Sequence, residues 1–343
     1  MEESNSFTIP VIPITFPKKP RDYPISEREN LMRALSGKKP VWMPSLWTSS
    51  RKIPNDETWD LPDFGIGKTT DWFGVQYQYS EAQSSGTPIR GIFSEIGEWR
   101  DKIAWPDLDR VDWGKDAETF VKDENLACGV RMYRGLFETL HAFEGFEQTL
   151  VDLILNPDEC RAFFERMADH KIGMFEHFHA FYHLDYVIYN DDWGTTRAPF
   201  FSLDLFKKTL LEPTKRIADA IRSKGVKLIF HNCGLIDSFI PCLVEDIGAE
   251  GLHIQKINDI EGILRTYGAK TTVDYRPDET ILYDPNTTAE RARACAREMV
   301  DRFGAHTNPG PGIIYNAYAV NEELFYAFDD EVYRYSLEKY RGL

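Results

Sequence analysis

Val226-Lys227-Leu228-Ile229-Phe230-His231-Asn232-Cys233-Gly234 reads as a short apolar strand that runs out into a histidine and a cysteine placed two apart, then a glycine that lets the backbone turn. Side chains two apart on an extended chain point the same way, so an imidazole and a thiol project together from a strand end. That is half of a zinc site built from nitrogen and sulfur ligands. On its own such a pair arises often by chance, and its weight depends on what surrounds it.

A helical pattern from Ser202 to Gly225 precedes the stretch. After it, Ile236, Phe239, Ile240, Leu243, Val244 and Ile247 fall at helical spacing up to Gly248, and Pro241 places the start of that helix near Asp237. Residues 251–255 and 270–273 read as further strands. Thr287 with Glu290 caps a helix ending at Gly304, residues 312–316 form the last strand, and residues 322–340 form the last helix. Upstream, residues 186–189 are a strand that ends in Asn190-Asp191-Asp192-Trp193-Gly194. Residues 126–132 are another, leading into Gly135-Leu136-Phe137-Glu138. Asn156-Pro157-Asp158-Glu159 opens a long helix with a cap, a proline and acids on the positive end of the dipole.

Nearer the N-terminus, Ser26 with Glu29 opens a helix that Gly37 closes, and residues 40–44 read as the first strand. Residues 75–79 pair with 89–93 as a small hairpin set into the loops after that strand. Residues 1–25 carry Pro10, Pro13, Pro17, Pro20 and Pro24 and read as an extended arm, leaving residues 26–343 as a single domain. Short connections between alternating strands and helices mean a parallel sheet. About eight strand candidates, with no glycine-rich fingerprint after the first, favour an α/β fold of the (β/α)8 TIM-barrel type, whose site lies at the C-terminal strand ends. Glu138, Asp191, Asp192, His231, Cys233, Gln255 and Asn316 all follow or end such strands.

Convergence on one mouth makes His231 and Cys233 candidate zinc ligands, with a third to come from Glu138, Asp192, His253 or Asn316. Asp192, Glu138 and Asp191 are the candidate acids and bases. The other cysteines, Cys128, Cys160, Cys242 and Cys295, fall on apolar faces and suit packing. His177, His179 and His183 lie near a helix C-terminus, where histidine favours the dipole. Trp42, Trp47, Trp59, Trp72, Tyr77 and Tyr79 either line a pocket for a flat ligand or cover the barrel bottom. A formal charge of −15 excludes nucleic acid or an anionic membrane surface as the main partner. Scattered cysteines, an acidic N-terminus and no long apolar run point to the cytoplasm.

Arg28-Glu29-Asn30-Leu31, Pro40-Val41-Trp42-Met43-Pro44, Asp71-Trp72-Phe73-Gly74-Val75, Trp105-Pro106-Asp107-Leu108 and His231-Asn232-Cys233-Gly234 together resemble the uroporphyrinogen decarboxylase superfamily. The resemblance covers the chain from about Ser26 onward and implies a (β/α)8 barrel. Its decarboxylases use arginines after the first strand, where Met43-Pro44-Ser45-Leu46-Trp47 has none and only Arg51 follows. Its zinc- and corrinoid-dependent methyltransferases share the histidine and cysteine of His231-Asn232-Cys233. Members of that branch that act on a thiol add a late cysteine, which Tyr315-Asn316-Ala317-Tyr318 lacks. Residues 190–194 and Asn258-Asp259 look more like the methyl-ether-demethylating members. The resemblance thus implies zinc on His231 and Cys233, and transfer of a methyl group from a small O-methyl donor to a corrinoid protein. Trp42, Trp193, Gln255, Asn258 and Asn316 become candidate substrate-binding residues. A homodimer, as is frequent in the superfamily, is a further expectation; decarboxylation and a non-catalytic corrinoid-binding or small-ligand barrel are the competing readings.

Overall fold

The computed structural model describes residues 16, 19, 21–54, 67–79, 86–115, 117–120 and 122–343. Most of the expected arm, together with Trp59, lies outside them. Among the described residues ten strands follow in chain order: β1 (Ser50–Lys52), β2 (Gly67–Thr70), β3 (Gln76–Tyr79), β4 (Thr87–Arg90), β5 (Ala127–Met132), β6 (Tyr186–Asn190), β7 (Lys227–Asn232), β8 (Gly251–Ile254), β9 (Thr272–Tyr275) and β10 (Ile313–Tyr315). Seven of them form one parallel sheet in the order β1-β5-β6-β7-β8-β9-β10, and β2-β3-β4 form a separate antiparallel sheet.

The two edges of the large sheet meet in one irregular run. Ser45 bridges Tyr315 in parallel, with Tyr315 N–H donating to Pro44 O at 3.0 Å and Leu46 N–H to Tyr315 O at 2.8 Å. Five residues later the same run pairs with β5 as β1. The expected first strand at residues 40–44 is therefore displaced. Pro40 and Pro44 have no N–H to give to a ladder, and regular pairing starts only beyond them. The product is a distorted TIM barrel, with the expected insertion after the first strand realised as the β2–β4 sheet. The hairpin there is shorter than expected, residues 76–79 against 87–90, and β2 adds a third strand to it.

Strand alternation sorts the side chains into two layers. Val187 and Tyr189 of β6, and Leu228 and Phe230 of β7, pack outward with the helices in the large core. Tyr186, Ile188, Ile229, Ala127 and Ile314 point the other way, into a second core completed by Leu31, Ala34 and Leu35. Those last three come from the Glu27–Leu35 helix, capped by Ser26 as expected, which closes the N-terminal end of the barrel. Leu31 is fully buried, so Leu31→Ala would cost about 2–5 kcal/mol by leaving a cavity. Tyr186 crosses the interior over Gly129, where a Cβ would come within 2.1 Å of the ring. Because side chains repeat every second residue, the inward set continues up each strand to Lys52, Arg131, Asn190, His231, His253, Asp274 and, one step past β10, Asn316.

Two expected caps shift. The helix Ala289–Phe303 is capped by Thr288 rather than Thr287. Asn156 precedes the Pro157–Tyr182 helix without a side-chain cap, because its amide turns back to Asp152 at 2.6 Å. Among the described residues no helix is long and apolar enough to cross a membrane.

Candidate metal centre

β7 ends at Asn232, and Cys233 follows before Gly234 turns the chain with φ +92°. A Cβ on Gly234 would lie 2.3 Å from the Gly194 backbone, so this glycine lets the loop after β7 close against the loop after β6. That contact brings Asp192 to the histidine and cysteine. His231 Nε2 lies 3.5 Å from Cys233 Sγ and 3.6 Å from Asp192 Oδ1, and the three donor atoms lie within 4.8 Å of one another. Cys233 N–H donates to Asp192 Oδ1 at 2.7 Å, which fixes the carboxylate. Of the shortlisted third ligands, Asp192 is the one whose donor atom joins this group. It is also the one such group of histidine, cysteine and acidic donors among the described residues.

Burial holds the His231 imidazole neutral, lowered to about 4 despite Asp192, with Arg131 and Arg276 adding to the effect. Burial, with Asp192 and Glu138 nearby, pushes the Cys233 thiol far up. His231 Nδ1 is buried without a hydrogen bond, and the ring is oriented by edge packing on His253 at 4.6 Å between centroids. The set fits zinc. Nitrogen, sulfur and oxygen donors at about 2.0–2.3 Å from one tetrahedral centre stand about 3.3–3.6 Å apart, which matches the two contacts of His231. A neutral imidazole is ready to bind, and a thiol this reluctant to ionise gains its charge only beside a cation.

The neighbouring acids divide by role. Asp191 is fully buried, and its two oxygens accept from Phe137 N–H at 3.2 Å and Glu138 N–H at 3.0 Å, at the start of the Leu136–Glu144 helix. Burial raises it to about 7 against those hydrogen bonds. It is a buried brace between β6 and that helix and is withdrawn from the mouth. Glu138, one residue further, is raised well above the ordinary range by burial and then by Asp192 and Asp191, and its Oε2 has no hydrogen-bond partner.

A cavity of about 340 Å³ opens beside the triad, lined by His231, Cys233, His253, Gln255, Asp274 and Asn316, with Arg276 and Lys256 at its wall. Its size suits a small molecule. Gln255 accepts from Gly234 N–H at 3.0 Å and lines the cavity. Asn258 does not line it: its side chain ties residues 234, 236 and 255 together. Trp193 is fully buried among Phe206, Phe230 and Phe239. Trp42 stacks on Tyr23 at 5.0 Å and meets Tyr333 edge to face, away from the cavity. Tyr77 is buried beside Asp71 and Arg134, and the Tyr79 side chain lies outside the described residues. His177 stacks on Trp113, and His179 on Phe175, so those histidines serve packing.

His253, one of the shortlisted third ligands, lines the cavity instead, with Nδ1 3.1 Å from Arg131 and 3.6 Å from Asp274. Three further residues escaped the sequence reading: Arg131, Asp274 and Arg276. Their signal was available, since a charged residue at an inward position of an otherwise buried barrel strand belongs to the mouth. The strand at residues 270–273 was drawn two positions early, which left Asp274 outside it.

The uroporphyrinogen decarboxylase (URO-D) family profile matches residues 140–328, more than half of the chain. No curated protein matches the chain. A methyltransferase from Methanosarcina mazei superposes with a TM-score of 0.60 at 12% identity, over 91% of this chain and 99% of that one, and shares the fold. A structure of IOLI protein with a binding zinc atom reaches a TM-score of 0.32 at 11% identity, over 69% and 85% of the two chains, too distant to support any reading. On the extent of the family match, with the barrel and its mouth in place, the chain belongs to the uroporphyrinogen decarboxylase family.

Proposed function

We propose that this barrel is a zinc-dependent methyltransferase that passes a methyl group from a small O-methyl donor to a corrinoid carried by a partner protein. The observation that carries the reading is the spacing of Asp192, His231 and Cys233, whose donors match a zinc set at a barrel mouth. Zinc held there would act as a Lewis acid on the oxygen that loses the methyl group. Asp192, tethered by Cys233 N–H, would hold the third position and leave the fourth open toward the cavity. Glu138, kept protonated by its buried, acidic surroundings, would give its proton to the departing oxygen, which leaves as an alcohol or phenol. Asp191 positions Glu138 by holding the first turn of its helix.

The experiment is a panel of methyl ethers incubated with the purified protein and free cob(I)alamin, read by the absorbance change on methylation, alongside metal analysis. Methylation from one donor class with about one zinc per chain is the expected result. A protein without zinc that methylates from no donor would end the reading. The family's name and the cations at the mouth favour a second reading. Arg131, Arg276 and Lys52 all face Asp274, and a substrate carboxylate would find them there. Metal-independent release of carbon dioxide from a carboxylate substrate would establish that decarboxylase instead.

A further inference from the structure

Asp274 of β9 and Asn316, just past β10, stand side by side. Asn316 N–H donates to Tyr275 O at 3.0 Å, which locks the two strand ends in register. Both are at least nine-tenths buried, and both line the cavity beside His231 and Cys233. The Asn316 amide lies close enough to the Asp274 carboxyl to lower its pKa, and His253 Nδ1 is 3.6 Å from it, yet neither Asp274 oxygen and neither polar atom of the Asn316 amide completes a well-aligned hydrogen bond within the protein. Buried polar atoms are almost always paired, so four together against a cavity mark a place where something else supplies the partners.

The chemistry of that partner follows from the groups. A carboxylate accepts hydrogen bonds, whereas an amide both donates and accepts. A ligand hydroxyl satisfies both at once, giving its hydrogen to Asp274 while its oxygen accepts from the Asn316 amide. An ammonium could also donate, but Arg131, Arg276 and Lys52 face Asp274 and oppose a second positive charge. His253, held neutral by burial, adds no charge. A cavity of about 340 Å³ is sized for a small molecule such as a substituted ring.

We infer that Asp274 and Asn316 form a recognition subsite for a free hydroxyl on a small uncharged or anionic substrate, set beside the metal centre. As a statement about substrate it rests on the methyl-transfer reading: the donor would be a methyl ether that also carries an unmethylated hydroxyl.

Binding tests this without turnover. Isothermal titration of the full-length protein with 2-methoxyphenol and with methoxybenzene compares two ligands that differ by one hydroxyl. The expected result is about tenfold or tighter binding of 2-methoxyphenol. Asp274→Leu and Asn316→Leu would each shrink that preference to about twofold or less while keeping folded circular dichroism and zinc content; two variants guard against one that misfolds. Equal affinities in the parent protein, binding of neither ligand, or an undiminished preference in both variants would overturn the subsite. The two readings fail separately. A protein that keeps the hydroxyl preference but methylates no cob(I)alamin loses the methyl-transfer reading alone, and one that methylates both ethers equally well loses the subsite alone.

Discussion

The barrel mouth has two walls built from the same kind of strand end, yet they differ in how their buried carboxylates are held. On the β6–β7 wall both adjacent carboxylates are held by backbone N–H groups, while Asn190 Oδ1, His231 Nδ1 and Glu138 Oε2 complete no hydrogen bond. Asp191 accepts from two helix amides, Asn232 accepts from Trp193 N–H and donates to Asp191 O, and Asp192 accepts from Cys233 N–H. Gln255 and Asn258 brace the same loop from β8. On the β9–β10 wall Asp274 and Asn316 are as deeply buried, but no backbone N–H holds either side chain. A carboxylate held by backbone N–H groups has a fixed geometry, which is what a metal demands of its ligands. A wall with open bonds stores a cost that a ligand can relieve.

The largest effect that would break the comparison is at the rigid wall. Removing both His231 and Cys233 by alanine substitution should abolish zinc binding and lower methyl transfer by at least about a thousandfold. Metal analysis of parent and variant checks the first part, and equal zinc in both would show that the triad is not a metal site. Asp192→Asn should keep the fold but weaken zinc affinity by at least about tenfold, measured by chelator competition.

Asp191→Ala separates neighbours that the chain places one residue apart. It should leave two N–H groups at the start of the Leu136–Glu144 helix without their acceptor and cost about 2–4 kcal/mol in urea unfolding. Glu138→Gln should fold normally and lose about a hundredfold in the rate of transfer, with the donor's KM little changed. A fall in KM-independent stability instead of rate would make Glu138 a structural residue.

Much of the candidate site is legible in the sequence because it follows from strand periodicity. His231 and Cys233 share an inward face by spacing alone, and Asp191, Asp192 and Glu138 were marked by their place after apolar strands. The split between Asp191 and Asp192 was not legible. Adjacent residues look alike in a sequence, and only the approach of Gly234 to Gly194 decides which carboxylate turns to the cysteine and which to the helix. The late strands were legible as strands but not in register, so the shift of β9 to residues 272–275 hid Asp274. At the start, Pro40 and Pro44 flank an apolar run that has the composition of a strand, but the Val41 and Met43 N–H groups donate to the Asn30 and Ser336 side chains instead of to a ladder.

The smallest expected effect concerns stability at the open wall and has an unusual sign. Burial holds the Asp274 carboxyl at about 7 in the folded chain, against an ordinary value of 3.8. Between those values the folded protein keeps a proton that the unfolded chain has released. The contribution of Asp274 to stability therefore becomes steadily less favourable as pH rises from about 4 to about 7, and levels off above. Asparagine has the same shape and no such titration. Asp274→Asn should match the parent near pH 4 and exceed it by about 1–3 kcal/mol near pH 7.5, since a carboxylate whose burial outweighs its nearby cations is exchanged for a neutral amide. Urea unfolding of both proteins at the two pH values measures the difference, which removes the opposing titrations of His231 and His141 common to both. A constant difference across the range would mean that the Asp274 carboxylate is already paired in solution, and the contrast between the two walls would then fall.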